Sequence, residues 1–287
     1  MRLIAFFVVF RNRMRGRSAL CDLTAAVTLT GFSVAVSYLY TVRIGGSVRY
    51  SRPLEGGGDL LVQWAICSTA IAGILAAMLA SILGAAAMPS SAEFASVQSS
   101  LLTRLKPMDI CAGRLVSGLW VPITTILLSM VFWLCANLAA ARFGGAPQFG
   151  AVFAAHLAVL MFACWLGTIG FLCSVKRRPG SNPVSGFAAA LAIGAVCVSA
   201  IWLVNPIIGR MDSPEKLIEA ALVINPAVDI ASAYKIDIVR EEWVYNQLRA
   251  PEYPFLYPSV STSCILFLVA GCSAISFSGA ALRRAYR

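Results

Sequence analysis

The chain has 287 residues, 59% of them hydrophobic and 13% charged, with a mean hydropathy of +0.79. Soluble domains carry roughly 25% charged residues, so these values exclude an ordinary soluble module and indicate an all-α polytopic membrane protein, read as a single transmembrane domain over residues 1–287. The net charge of +10 does not signal nucleic-acid binding, because the basic residues stand in short clusters beside apolar runs, where membrane topology accounts for them.

The amino end, "MRLIAFFVVFRNRMRGRSAL", places Arg11, Arg13, Arg15 and Arg17 after a short apolar run. A signal peptide carries its charge before the apolar core and ends in a small-residue cleavage site. The reversed order predicts an interfacial helix over 1–19, with its apolar part in the lipid boundary and its arginines near anionic headgroups.

Six segments, at roughly 20–41, 60–88, 115–140, 150–174, 184–208 and 259–282, supply the ~20 apolar residues that a spanning helix needs. They are continuously apolar and do not alternate, so helices fit better than barrel strands. In the first span Thr30, Ser33 and Ser37 share a face. The second is too long to stand upright and must tilt, kink or continue into the cytoplasm. It carries two small-residue rows, Gly73–Ala77–Ser81 and Ala76–Ala80–Gly84, suited to close packing either within the chain or across a dimer seam.

Between the second and third spans lies a polar island. Ser90 and Glu93 have capping-box spacing. Phe94, Val97, Leu101 and Leu105 then fall on one helical face, with Ser96, Ser99, Ser100 and Arg104 elsewhere. The pattern predicts an amphipathic helix over 90–107, ended by Pro107. Pro122 is expected to kink the third span, with Thr124 and Thr125 available to re-satisfy the freed backbone. Asn137, His156 and Asn205 fall near outer ends; a lone histidine there reads first as a helix–helix hydrogen bond. Thr30, Ser33, Ser37, Asn137 and His156 are the candidates for a substrate pathway.

The last connection, 209–258, is long enough for structure of its own. "SPEKLIEAALVI" predicts a helix with Ser213 as N-cap and Pro214 at its first position, and "NPAVDIASAYKIDIV" repeats the device with Asn225 and Pro226. Tyr253, Phe255 and Tyr257 are expected at interface depth. Two short external helices lying against the membrane are therefore predicted before the last span. The nine cysteines form no CxxC and sit in or beside apolar runs, as small buried hydrophobes rather than metal ligands.

Placing the amino terminus inside puts fourteen of the 23 Lys and Arg residues, and only Asp22, Glu93 and Asp109 among the acids, in inner segments. The positive-inside rule then predicts both termini in the cytoplasm of a plasma (bacterial inner) membrane, with 209–258 external. No acid falls deep in a span, which weighs against a secondary transporter.

The segment 90–115 resembles the cytoplasmic loop of ABC-2 type transporter permeases, where E-x-G-T-L and L-L-x-x-P-[LV]-S-x-x-x-[IL]-x-x-G-K join the second and third spans. Glu93 matches the acid, Ser96 the threonine, Leu101 and Leu102 the leucine pair, Leu105 and Ile110 the later apolar sites, and Gly113 the glycine; Arg114 replaces the lysine. Ala95 and Arg104 depart from a glycine and a proline, while Pro107 stands where the family commonly has one. Six spans, a basic amino-terminal interfacial helix and a larger external segment fit the same family. The resemblance implies the permease subunit of an exporter, forming the translocation pathway, in which Glu93, Phe94, Ser96, Leu101, Leu102, Arg104, Pro107, Gly113 and Arg114 contact the motor. It implies a separate ATPase subunit that holds ATP and magnesium, and a second copy or homologous permease. The sequence has no G-x-x-x-x-G-K-[ST], so the chain itself is not the ATPase and binds no cofactor on this reading. The alternatives are a non-transporting assembly or scaffold subunit, an intramembrane enzyme, and a secondary transporter.

Overall fold

The computed structural model describes residues 19–45, 57–87, 107–142, 148–175, 184–211, 213–236, 239, 250 and 253–285. Nine helices and no strand occur among them: α1 (Ala19–Gly45), α2 (Gly57–Ala86), α3 (Pro107–Gly118), α4 (Trp120–Arg142), α5 (Phe149–Val175), α6 (Val184–Ile208), α7 (Glu215–Val223), α8 (Pro226–Ala233) and α9 (Val260–Ala285). Of these, α1, α2, α4, α5, α6 and α9 are long and apolar enough to cross a membrane. The chain is an all-α polytopic membrane protein, as its composition indicates. The predicted interfacial helix 1–19 lies, but for Ala19, outside the described residues, as does 90–106.

Helix α5 is the hub. It packs most extensively on α2, and also on α9, α6, α8 and α4. Its contact with α2 is backbone on backbone. A Cβ on Gly84 would collide with the Gly167 carbonyl, and one on Gly170 would sit 2.8 Å from the Ser81 carbonyl oxygen. Glycine is required there because no other residue permits that approach. Ala76, Ala77, Ala80 and Ser81 are all buried in the same region. The two small-residue rows of α2 therefore serve packing within the chain.

Helix α2 runs unbroken for 30 residues, about 45 Å at 1.5 Å per residue. That exceeds a hydrocarbon core of about 30 Å, so it tilts or projects. The third span differs from expectation. It divides at Leu119 into the short α3 and the spanning α4. Pro122 explains the position: lacking an N–H, it cannot bond the carbonyl four residues back, which is that of Gly118. Thr124 and Thr125 donate to the Trp120 and Val121 carbonyls instead, over 2.8 and 2.9 Å, and so do not restore the lost bond. Pro107 is the first residue of α3, where its fixed φ suits a helix start. Met108, just behind it, meets Gly279 of α9, so α3 is docked on the end of the last span.

An aromatic cluster ties α1, α2 and α4 together. Trp133 is fully buried and donates to Ser68 Oγ over 3.2 Å. Trp64 stacks edge-on against it at 5.1 Å and donates to the Val34 carbonyl over 3.0 Å. Helices α7 and α8 build a second core with the end of α6, from Ile208, Ile218, Leu222, Val228 and Phe255. Tyr253 and Tyr257 pack on this core beside Phe255. Helix α7 begins one residue later than expected: Pro214 occupies the N-cap with no side-chain cap, so Ser213 is not the cap.

The α2–α5 seam predicts a contrast. Gly84→Val should cost at least 1–3 kcal/mol through overpacking and lower the yield of folded protein in detergent. Gly31→Val, on an exposed face with nothing within 4 Å of its Cβ position, should leave both yield and melting temperature near the parent's. Equal effects at the two positions would contradict the seam.

Candidate functional site

The candidate pathway residues are all buried. Thr30 donates from α1 to the Thr125 carbonyl of α4 over 3.2 Å, while Ser33 and Ser37 bond back to the carbonyls of Thr30 and Val34. These three hydroxyls satisfy themselves in a helix seam. Asn137 closes the end of α4: its Nδ2 donates to the Trp133 carbonyl, and its Oδ1 accepts from Gln148 N over 3.0 Å at the start of α5.

His156 meets Ser129 across α4 and α5, with Nε2 to Oγ at 3.1 Å and Nδ1 to the Val152 carbonyl at 2.8 Å. A carbonyl only accepts, so Nδ1 carries the proton. Nε2 of the neutral ring is then an acceptor, and the Ser129 hydroxyl donates to it. This serine–histidine pair was invisible in sequence because 27 positions separate the partners. Its geometry is that of a nucleophile and its base. Ser129 is 0% and His156 1% exposed, however, so in this conformation no substrate reaches the hydroxyl. The arrangement acts as a fastener between spans. An apolar crevice between α2, α4 and α5, with Ala80, Leu119, Pro122 and Ile126 in its wall, is too narrow to admit even a water-sized sphere. None of the candidate pathway residues lines it.

Of the residues that the family resemblance assigns to motor contact, Glu93, Phe94, Ser96, Leu101, Leu102 and Arg104 lie outside the described residues. Pro107 opens α3, Gly113 is buried on it, and Arg114 is half-buried. The three sit together on the helix that docks on α9.

Asp229 is the functional candidate that sequence reasoning missed. It was counted as one more external acid. In the structure it is 0% exposed, on α8, and neither carboxylate oxygen has a hydrogen-bond partner. The signal was present in "PAVDIASA", a helix apolar on every side of a single acid, which is the pattern of a buried element. Asn225 positions the helix: its Oδ1 accepts from Ala227 N, and its Nδ2 donates to the Val198 carbonyl of α6, both at 3.0 Å. Burial pushes the Asp229 carboxyl up to about 7, and the nearby Ser263 hydroxyl of α9 opposes the rise. That hydroxyl lies close by without hydrogen-bonding geometry, so it too is buried and unsatisfied.

No family model, curated protein or solved structure matches the chain.

The fastener is open to a double-mutant cycle. Ser129→Ala and His156→Leu should each destabilise the protein, with a coupling near the ~0.6 kcal/mol average for interhelical hydrogen bonds in lipid and not above ~1.7. A fluorophosphonate probe should leave Ser129 unlabelled; stoichiometric labelling there would turn the fastener into a nucleophile.

Proposed function

We propose that the chain is the permease subunit of an ATP-driven exporter, paired with a second permease and driven by a separate ATPase. The observation that carries this reading is the docking of α3, which bears Pro107, Gly113 and Arg114 of the motif, on the end of α9. In sequence α3 follows immediately on 93–106, the rest of the motif. A push on the preceding segment would pass through α3 to the last span, and from α9 to the hub α5. Coupling of this kind needs a bistable bundle biased by the partner, and the division at Leu119 gives the third span a joint. The seven basic residues at 11–17 and 283–287 favour a cytoplasmic location for both termini.

A secondary transporter is a second reading, favoured by the buried Asp229, since an ionisable group sealed in a membrane protein often marks an ion path. Purified chain in proteoliposomes separates the two. Transport that follows a pH gradient with no nucleotide and no other protein would select the secondary transporter.

On the exporter reading, pull-down from the native membrane recovers a P-loop ATPase. Glu93→Ala would remove the cap that the capping-box spacing predicts, worth about 0.5–2 kcal/mol and too little to unfold the bundle, and should leave abundance near normal while uncoupling hydrolysis from transport. Leu101→Asp should abolish ATPase recovery. A single cysteine at Ser213 should react with an impermeant thiol reagent added outside intact cells, and one at Ser99 should not. Wild-type behaviour of both variants would remove the motor contact, and the reverse labelling pattern would invert the topology.

A further inference from the structure

Helix α8 packs into one end of the bundle, chiefly on α5 and also on α2, α9, α7 and α6. Pro226, Val228, Asp229, Ile230 and Ala231 are all buried. Such a helix needs a reason to carry a carboxylate at its centre. Buried polar groups are nearly always hydrogen-bonded, and a buried charge without a partner is costly. Here two carboxylate oxygens and the facing Ser263 hydroxyl are orphaned together.

The surroundings offer no compensation. From α9 the Cys264 thiol lies close enough to feel the Asp229 charge. On α8's own end, the Tyr234 hydroxyl is buried and likewise unpartnered. His156 of α5 has both ring nitrogens engaged by Ser129 and Val152. Helix α6 carries Cys197 but no charged residue, and α2 carries Asp59 in its first turn and Cys67 within its span. Helix α7 carries Glu215, Lys216 and Glu219, of which Glu219 accepts from Leu256 N. None of these groups is in hydrogen-bonding contact with Asp229. The first turns of α8 and α9, where Asp229 and Ser263 sit, favour an anion, yet burial outweighs them.

We propose that Asp229 is a proton-binding site whose occupancy governs the seating of α8: the neutral carboxyl holds the helix between α5 and α9, and the ionised carboxylate draws water in and releases it. The step is a single proton exchange with solvent, carboxyl to carboxylate, with no bond change elsewhere. The inference does not rest on the permease reading.

The pH dependence has a definite sign. A hydrated, unseated Asp229 would titrate near the ordinary 3.8, and the seated one near 7. Between those values the seated form keeps its proton and the unseated form does not. Each unit of rising pH within that window therefore weakens seating roughly tenfold. Below it both forms are protonated, above it both are ionised, and seating ceases to change.

The test uses the full chain in lipid nanodiscs. Infrared titration should show a protonated-carboxyl band with a midpoint of about 7, absent in Asp229→Asn and moved to higher pH in Ser263→Ala. Hydrogen exchange of the α8 amides, corrected for intrinsic chemistry, should lose protection across the same window in the parent. It should stay pH-independent in Asp229→Asn. The absence of any such band above the ordinary carboxylate range overturns the site. A band that titrates while α8 protection matches that of Asp229→Asn at every pH overturns the seating. Should Asp229→Asn fail to fold, the parent and Ser263→Ala titrations decide the matter between them.

Discussion

Lipid tails are as apolar as leucine, so spanning helices gain nothing by hiding apolar side chains from one another. What holds them together is close contact, and closeness is limited by the smallest residues available. Here α2 and α5 meet at Gly84, Gly167 and Gly170, with backbone lying against backbone. Dispersion and weak Cα–H···O contacts accumulate at that distance. Every other span is placed by this pair. Helices α6 and α4 lean on both members, α9 on α5, and α1 on α2 and α4.

The polar side chains of the spans are secured around that seam. Most are spent locally, hydroxyl to carbonyl three or four residues back, as at Thr41, Ser81 and Ser278. A smaller set crosses between helices: Thr30 to Thr125, Trp64 to Val34, Trp133 to Ser68, and Ser129 to His156. These bonds fix rotation about the helix axes, which apolar packing alone leaves soft. Against this background of satisfied groups Asp229 stands out. It is buried as deeply as the rest and has no partner. A site that costs stability in a well-satisfied bundle is where function is expected.

Much of the architecture was legible because a spanning helix is a local signal. Twenty apolar residues in a row identify it with no knowledge of its neighbours, and the six spans were found to within a few residues. Asn225 and Pro226 were read correctly as a helix start because capping is local too. The small-residue rows of α2 were legible as a close-packing surface, but not their partner, since a row of glycine and alanine does not state what lies against it. The fastener needed two residues on different spans. Asp229 was misread for a related reason: its helix lies in a connection, and a topology count treats every charge in a connection as solvated. The division at Leu119 was legible only as a kink at Pro122, and it is not a full break, since Leu119 N still bonds the Leu115 carbonyl and Ile123 N the Leu119 carbonyl.

The central claim is that the α2–α5 seam is the frame on which the remaining spans are hung. Single-molecule force spectroscopy of the chain in a bilayer tests it most directly. Pulled from the carboxyl end, the α5 step should require the highest force, and its extraction should bring α4 and α2 out with it in one event. If every span left separately at a similar force, the seam would be one contact among equals, and the account would be wrong.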